Sequence, residues 1–106
     1  MWKVDKGSMT GTTTASYASA LDWKVEELRE KTIVLKNTHA SVSLKYKLLV
    51  YASAGGVAGE EVPETTLAAG EIAKMQLLKQ WARLVLQVMD GSGHATYQVD
   101  YIGQGA

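Results

Sequence analysis

The sequence reads WARLVLQVMDGSGHATYQVDYI over residues 81–102, and this stretch decides the fold. Apolar and polar residues alternate on both sides of the glycine-rich segment DGSGH at residues 90–94. A period of two is typical of a strand with one buried face, and a glycine-rich turn between two such strands predicts a β-hairpin. Similar alternation occurs in residues 17–26 and 44–51, and residues 32–35 form a short, mostly β-branched run.

Residues 71–89 are compatible with two structures. Ile72, Met75 and Leu78 begin a series of apolar residues at helical spacing, which would suit one long helix. The alternative is two strands, at 72–77 and 81–89, joined by a turn. Regular strand and turn signals elsewhere favour the strands. We therefore predict an all-β chain folded as a single antiparallel β-sandwich, jelly-roll or immunoglobulin-like, of about seven or eight strands.

The alternation also predicts a core and a domain layout. Residues 7–20 are rich in Thr, Ser, Ala and Gly, and residues 1–12 are expected to form a flexible or exchanged N-terminal arm, whereas residues 13–106 form the sandwich domain. The expected core consists of the residues at inward strand positions: Tyr17, Leu21, Trp23, Val25, Ile33, Leu35, Leu44, Tyr46, Leu48, Val50, Leu67, Leu84, Leu86, Val88, Tyr97, Val99 and Tyr101.

Charge and composition argue against several classes of function. Lys plus Arg and Asp plus Glu are both 11, so the net charge is zero, whereas nucleic-acid binders usually carry a basic excess. The chain has no Cys, which excludes disulfides and thiolate metal sites. Its apolar runs are too short for a membrane span, and its first residues lack the apolar core of a secretory signal. We expect neither nucleic acid nor a membrane as a partner.

The residues that could carry chemistry do not form a recognisable site. His39 and His94 both lie in predicted turns and are too few, without Cys, to form a convincing metal-ligand set. Ser92 precedes His94 by two residues, but the chain has no nucleophile-elbow motif around a serine. A calcium loop starting at Asp90 would need Glu where Tyr101 stands. We therefore expect no catalytic, cofactor-binding or metal-binding residues, and no enzyme activity.

Four residues are predicted as interface candidates: Trp2, Trp81, Arg83 and Tyr101. Arg83 is conspicuous because it lies within a strongly apolar strand. Its guanidinium either points outward over the sheet or forms an ion pair across a subunit interface, with Asp100 or Glu71 as the expected partner.

Five segments carry a resemblance to a known group of proteins: LKNT at 35–38, LKYKLLVYAS at 44–53, ETTLAAGE at 64–71, WARLVLQV at 81–88 and ATYQVDYIG at 95–103. Together they resemble small β-sandwich proteins encoded among the virion genes of phages and prophages, in which a Leu-Ala-x-Gly-Glu turn and an Ala-Arg strand followed by apolar residues recur. The resemblance covers residues 32–104. It implies a non-enzymatic structural role in capsid decoration or in a tail or adhesion apparatus, usually as a homo-oligomer.

From these observations we expect a non-enzymatic structural protein that self-associates in a viral particle, as a capsid-decorating or tail-associated component. It would assemble in the host cytoplasm, with copies of itself, as a trimer, and other virion proteins as partners. The alternative is a carbohydrate-binding or adhesion β-sandwich module. That alternative requires exposed Trp or Tyr side chains as a binding platform.

Overall fold

A computed structural model describes residues 3–105 and contains eight β-strands. Their bounds are β1 Lys3–Thr12, β2 Ala18–Lys24, β3 Glu30–Asn37, β4 Leu44–Tyr51, β5 Ala58–Leu67, β6 Ile72–Leu77, β7 Arg83–Asp90 and β8 Thr96–Gly105. One sheet, called sheet A, has the order β1-β8-β3-β6, and the other, sheet B, has the order β2-β7-β4-β5. All neighbouring strands are antiparallel, so the predicted β-sandwich is confirmed, with the strand order of a jelly roll.

The predicted hairpin over residues 81–102 is wrong, although both of its strands exist. β7 pairs with β2 and β4 in sheet B, whereas β8 pairs with β1 and β3 in sheet A. The glycine-rich segment therefore crosses between the sheets, and the Gly91 amide donates to the Ser43 carbonyl at 3.1 Å on the way. Alternation identifies strands but does not identify their neighbours, because strands of either sheet have one face toward the same core.

Residues 71–89 form two strands and no helix. On β6, the side chains of Ala73, Met75 and Leu77 are buried while those between them are exposed, which is the period of two that a sheet requires. β7 begins at Arg83 after a short turn. No helix in residues 3–105 has the length and apolar character needed to cross a membrane.

The predicted flexible arm is an ordered strand from Lys3 to Thr12. β1 pairs with β8 of the same chain over its whole length, with Gly7 opposite Tyr101 and Gly11 opposite Tyr97. A β-carbon at either glycine would collide with the tyrosine ring, so the small residues make room for the aromatic side chains of the neighbouring strand. Flexibility was inferred from composition alone and does not hold for residues 3–12. Exchange of this segment between copies stays a prediction.

Most of the predicted core is buried between the sheets, with three exceptions: Tyr17, Tyr97 and Tyr101 are half-buried. The β2–β7 pairing shifts its register between Ser19 and Leu21. Side chains before this shift therefore point to the opposite face from the one that simple alternation predicts, and Tyr17 lies on the outer face of sheet B. The core also contains apolar residues that the alternation did not indicate: Ala20, Leu28, Ala73, Met75, Leu77, Ala82, Val85 and Ala95.

Two buried polar side chains hold turns to the sandwich. The side-chain Nδ2 of Asn37 donates to the backbone carbonyls of Val42 and Leu67, at 2.8 and 3.1 Å. Its Oδ1 accepts from the backbone amide of His39 at 3.0 Å. Lys31 is fully buried, and its ammonium donates to backbone carbonyls, the closest being that of Lys79 at 2.6 Å. Burial lowers the pKa of Lys31 from its ordinary value, because the charged form loses water.

Candidate interaction surface

A shallow groove lies on the outer face of sheet A, where even-numbered residues of β1, β8 and β3 face solvent. Its volume is about 470 Å³, and its lining includes Lys6, Ser8, Val34, Asp100 and Ile102. The Ile102 side chain is 48% exposed. The groove therefore combines apolar side chains with one carboxylate, one ammonium group and hydroxyl groups.

The Asp100 carboxylate is held by its neighbours on the same face. Ser8 Oγ donates to Asp100 Oδ1 at 2.5 Å, and Gln98 Nε2 donates to the same oxygen at 3.1 Å. These two hydrogen bonds lower the pKa of Asp100, that of Ser8 having the larger effect. The Ser8 bond also links the edge strand β1 to β8. This arrangement stabilises a charged, fixed carboxylate.

Arg83 forms an ion pair within the chain. Its Nη2 and Nε donate to the two carboxylate oxygens of Asp22 at 2.6 and 2.7 Å, and its guanidinium lies 4.8 Å from the centre of the Tyr51 ring. The guanidinium thus points outward over sheet B, which was one of the two predictions for Arg83, while an ion pair across a subunit interface with Asp100 or Glu71 stays a prediction. Asp100 lies on the other sheet, while Glu71 Oε1 accepts from the Ala68 amide at 2.8 Å in the turn between β5 and β6.

The ion pair predicts how stability changes with pH. The hydrogen bond from Arg83 is the main cause that lowers the pKa of Asp22 below its ordinary 3.8. Asp22 therefore binds a proton more readily in the unfolded chain than in the folded one. Its contribution to the free energy of unfolding is present above its ordinary pKa and is lost as the pH falls below that pKa. We expect Asp22→Asn to lower the melting temperature slightly at neutral pH and to have little effect in strong acid.

Thermal melts of both chains at neutral and strongly acidic pH check this expectation. Glu26→Gln, which neutralises another exposed carboxyl close by on the chain, is the matched control. An Asp22→Asn effect of equal size at both pH values would show that the ion pair does not stabilise the fold.

Two further interface candidates, Trp81 and Tyr101, pack against the core. Trp81 is half-buried against the core, and its Nε1 is a buried atom without a hydrogen-bond partner in the described part of the chain. Tyr101 packs inward, with its ring centre 4.8 Å from that of Trp23. Trp2 lies outside the described residues. Their role as interface residues stays a prediction.

A carbohydrate-binding platform needs exposed aromatic side chains, and every Trp and Tyr in residues 3–105 is buried or half-buried. The aromatic residue that the bulge turns outward, Tyr17, donates its hydroxyl to Glu64 at 2.6 Å and lies beneath the Lys47 ammonium. This cluster on sheet B was missed because the bulge has no clear signal in the sequence.

The histidines and serine of the predicted turns serve local structure. His94 Nδ1 lies 3.0 Å from Asp90 Oδ1, which also accepts from Thr13 Oγ1 at 2.7 Å. The Thr13 bond is the largest of the effects that lower the pKa of Asp90. His39 accepts backbone amides of its own turn, and Ser92 accepts the Ser43 amide. Within residues 3–105, no three His, Cys, Asp or Glu side chains are placed to share a metal ion.

The sequence matches no known family model and no curated protein. The fold is nevertheless shared with solved structures. The chain is similar to a protein of Bacillus endospore appendages, described as disulfide-linked pili, with a TM-score of 0.71 and 13% identity over 99% of this chain and 88% of that one. It is also similar to PirA, with a TM-score of 0.67 and 13% identity over 89% and 92% of the two chains.

A third similar structure is the SPBc2 prophage-derived protein YomS. Its TM-score is 0.55, with 14% identity over 94% of this chain and 95% of that one. Identities this low show a shared β-sandwich fold and nothing more specific.

Proposed function

We propose that this chain is a non-enzymatic structural protein that self-associates within a viral particle, as a capsid-decorating or tail-associated component. One observation carries the proposal. Three large apolar side chains that are exposed lie on the outer face of sheet A: Val4, Ile72 and Ile102. Exposed apolar side chains on the same face of a sheet are a feature of surfaces that another protein covers.

The chemistry of the described residues supports a structural role. The polar side chains that could have suggested catalysis instead hold turns in place, as Asp90 does with Thr13 and His94. The similar structures include a pilus protein and a prophage protein, which is compatible with assembly into a particle. Since this chain has no Cys, its association would be non-covalent, unlike that of disulfide-linked pili. The trimer expected from the sequence, the other virion partners and assembly in the host cytoplasm remain part of the proposal.

Light scattering over a concentration series tests self-association. We expect a mass above that of one chain that rises with concentration, because net charge zero and exposed apolar groups favour association. A mass of one chain at every soluble concentration would overturn the proposal. A glycan array tests the alternative function: we expect no binding, and specific binding of a glycan would favour an adhesion module.

A further inference from the structure

The free edge of β6 has its backbone groups arranged for another strand. β6 is the last strand of sheet A, and β3 is its neighbour in that sheet. The backbone amide of Asn37 donates to the backbone carbonyl of Glu71 at 3.0 Å, one position beyond the final β3–β6 pair. Since bonding direction alternates along an antiparallel strand, the odd-numbered residues of β6 bond to β3. The backbone groups of Ile72, Lys74 and Gln76 therefore point outward.

The sequence around β6 is complementary to itself when read in the opposite direction. If Met75 is placed opposite Met75 of a second copy, the positions on either side form matched pairs. The pairs are Lys74 with Gln76, Ala73 with Leu77, Ile72 with Leu78, and Glu71 with Lys79, each occurring twice by symmetry.

Each pair in this register contributes in a different way. Lys74 and Gln76 both have backbone groups that point outward, so this pair can exchange hydrogen bonds. Ile72 has its backbone groups on the same free edge, and Leu78 is the first residue after β6. Ile72 and Leu78 are 52% and 65% exposed in the single chain, and each would cover the other. Glu71 and Lys79 add opposite charges at both ends of the contact. One Glu71 oxygen already accepts from Ala68, which leaves the second oxygen for Lys79.

Neighbouring registers and other edges fit less well. Moving the register so that Lys74 lies opposite itself would set like charges against each other. The β5 edge contains Pro63 and three glutamates, and β2 is interrupted by its bulge. The outer face of the β1 edge carries mostly polar side chains, Lys6, Ser8, Thr10 and Thr12, which would cover a partner poorly.

We propose that the β6 edge pairs antiparallel with the β6 edge of a second copy, so that the two A sheets become one continuous sheet. The inference rests on the self-association proposed above and names the surface responsible. The contact is twofold symmetric, so it joins chains in pairs, whereas the trimer expected from the sequence would need a head-to-tail contact elsewhere.

Two charge-reversal variants, studied separately and as a mixture, test the register. The mixture distinguishes a lost contact from a folding defect in one variant. Glu71→Lys and Lys79→Glu each place like charges opposite one another in a homodimer, at both ends. We expect each variant alone to dimerise about tenfold more weakly than the original chain. An equimolar mixture of the two variants restores opposite charges at both ends, so we expect dimers containing one copy of each.

Analytical ultracentrifugation of the separate and mixed chains gives the dissociation constants, and native mass spectrometry of tagged chains gives the composition. A folding defect in Glu71→Lys would not be repaired by mixing. Dimerisation of the original chain without recovery in the mixture would overturn the β6 contact and leave self-association intact. A monomeric original chain would overturn both.

A backbone variant supplies a second test. The Lys74 amide faces the free edge, so Lys74→Pro removes an intermolecular donor and leaves the bonds to β3 in place. We expect this variant to keep its far-UV circular dichroism and to become monomeric, while Lys74→Ala, the matched control, remains dimeric. A folded Lys74→Pro chain that dimerises like the original would also overturn the proposal.

Discussion

Gly103→Val is expected to lower the free energy of unfolding by about 3 kcal/mol, because it overpacks the interior of the sandwich. Gly103 is a buried residue of β8 facing sheet B. A β-carbon at this position would lie 2.6 Å from Leu28 Cδ1 and 2.9 Å from Trp23 Cζ2. Leu28 and Trp23 are themselves buried, so neither can move aside without disturbing its own neighbours.

Urea unfolding measures this loss as a shift in the transition midpoint. Gly59→Val is the matched control, since Gly59 is an exposed strand residue whose added β-carbon would meet Val50 only at ordinary contact distance, 3.5 Å. We expect the control to change stability little. Equal midpoints for the Gly103 variant and the original chain would contradict the described packing of Trp23 and Leu28.

Asn37→Asp is expected to lower the free energy of unfolding by about 3 kcal/mol or more, although the two side chains are nearly the same size. The Asn37 amide group donates to the carbonyls of Val42 and Leu67 in a fully buried position. A carboxylate has no proton to donate, so one of its oxygens would face two carbonyl oxygens, and both carbonyls would lose their donor.

The same substitution should make stability depend strongly on pH. Burial and the facing carbonyl oxygens raise the pKa of the introduced carboxyl above its value in the unfolded chain. The penalty is therefore smallest in acid, where both states are protonated, and it grows as the pH rises through the interval between the two pKa values.

Urea unfolding at several pH values measures both effects. Gln80→Glu, the same change of amide to carboxyl at an exposed loop residue, serves as the control. We expect the control to lose little stability and to show no such trend. A tolerated Asn37→Asp with no pH dependence would mean that Asn37 does not hold these carbonyls.

Periodicity predicted the strands but could not predict their arrangement. Alternating residues such as Leu84, Leu86 and Val88 require an inner face, and they are buried. Whether β7 pairs with β8 depends on whether the residues after Asp90 turn back beside β7 or cross to the other sheet. This choice is determined by bonds to distant residues, such as that from Gly91 to Ser43.

The polar contacts were the least predictable part. Asp22 receives Arg83 because the β2–β7 register places them on one face, and that register follows a bulge that composition does not reveal. Lys31 was not expected inside the protein, since its burial depends on carbonyls from turns far apart in sequence, such as that of Lys79. The threonine- and glycine-rich segment before residue 13 was interpreted as flexible from its composition. The tyrosine rings that cover its glycines come from β8, which is far away in the sequence, so the local composition could not indicate them.

The central place of β8 in sheet A also has a consequence for biosynthesis. β8 lies between β1 and β3, yet it follows every other strand along the chain. On the ribosome, β1 and β3 therefore emerge long before the strand that must separate them. Sheet A can therefore close only after β8 has been synthesised, and such long-range pairing is slow, so until then its strands have edges open to other nascent chains.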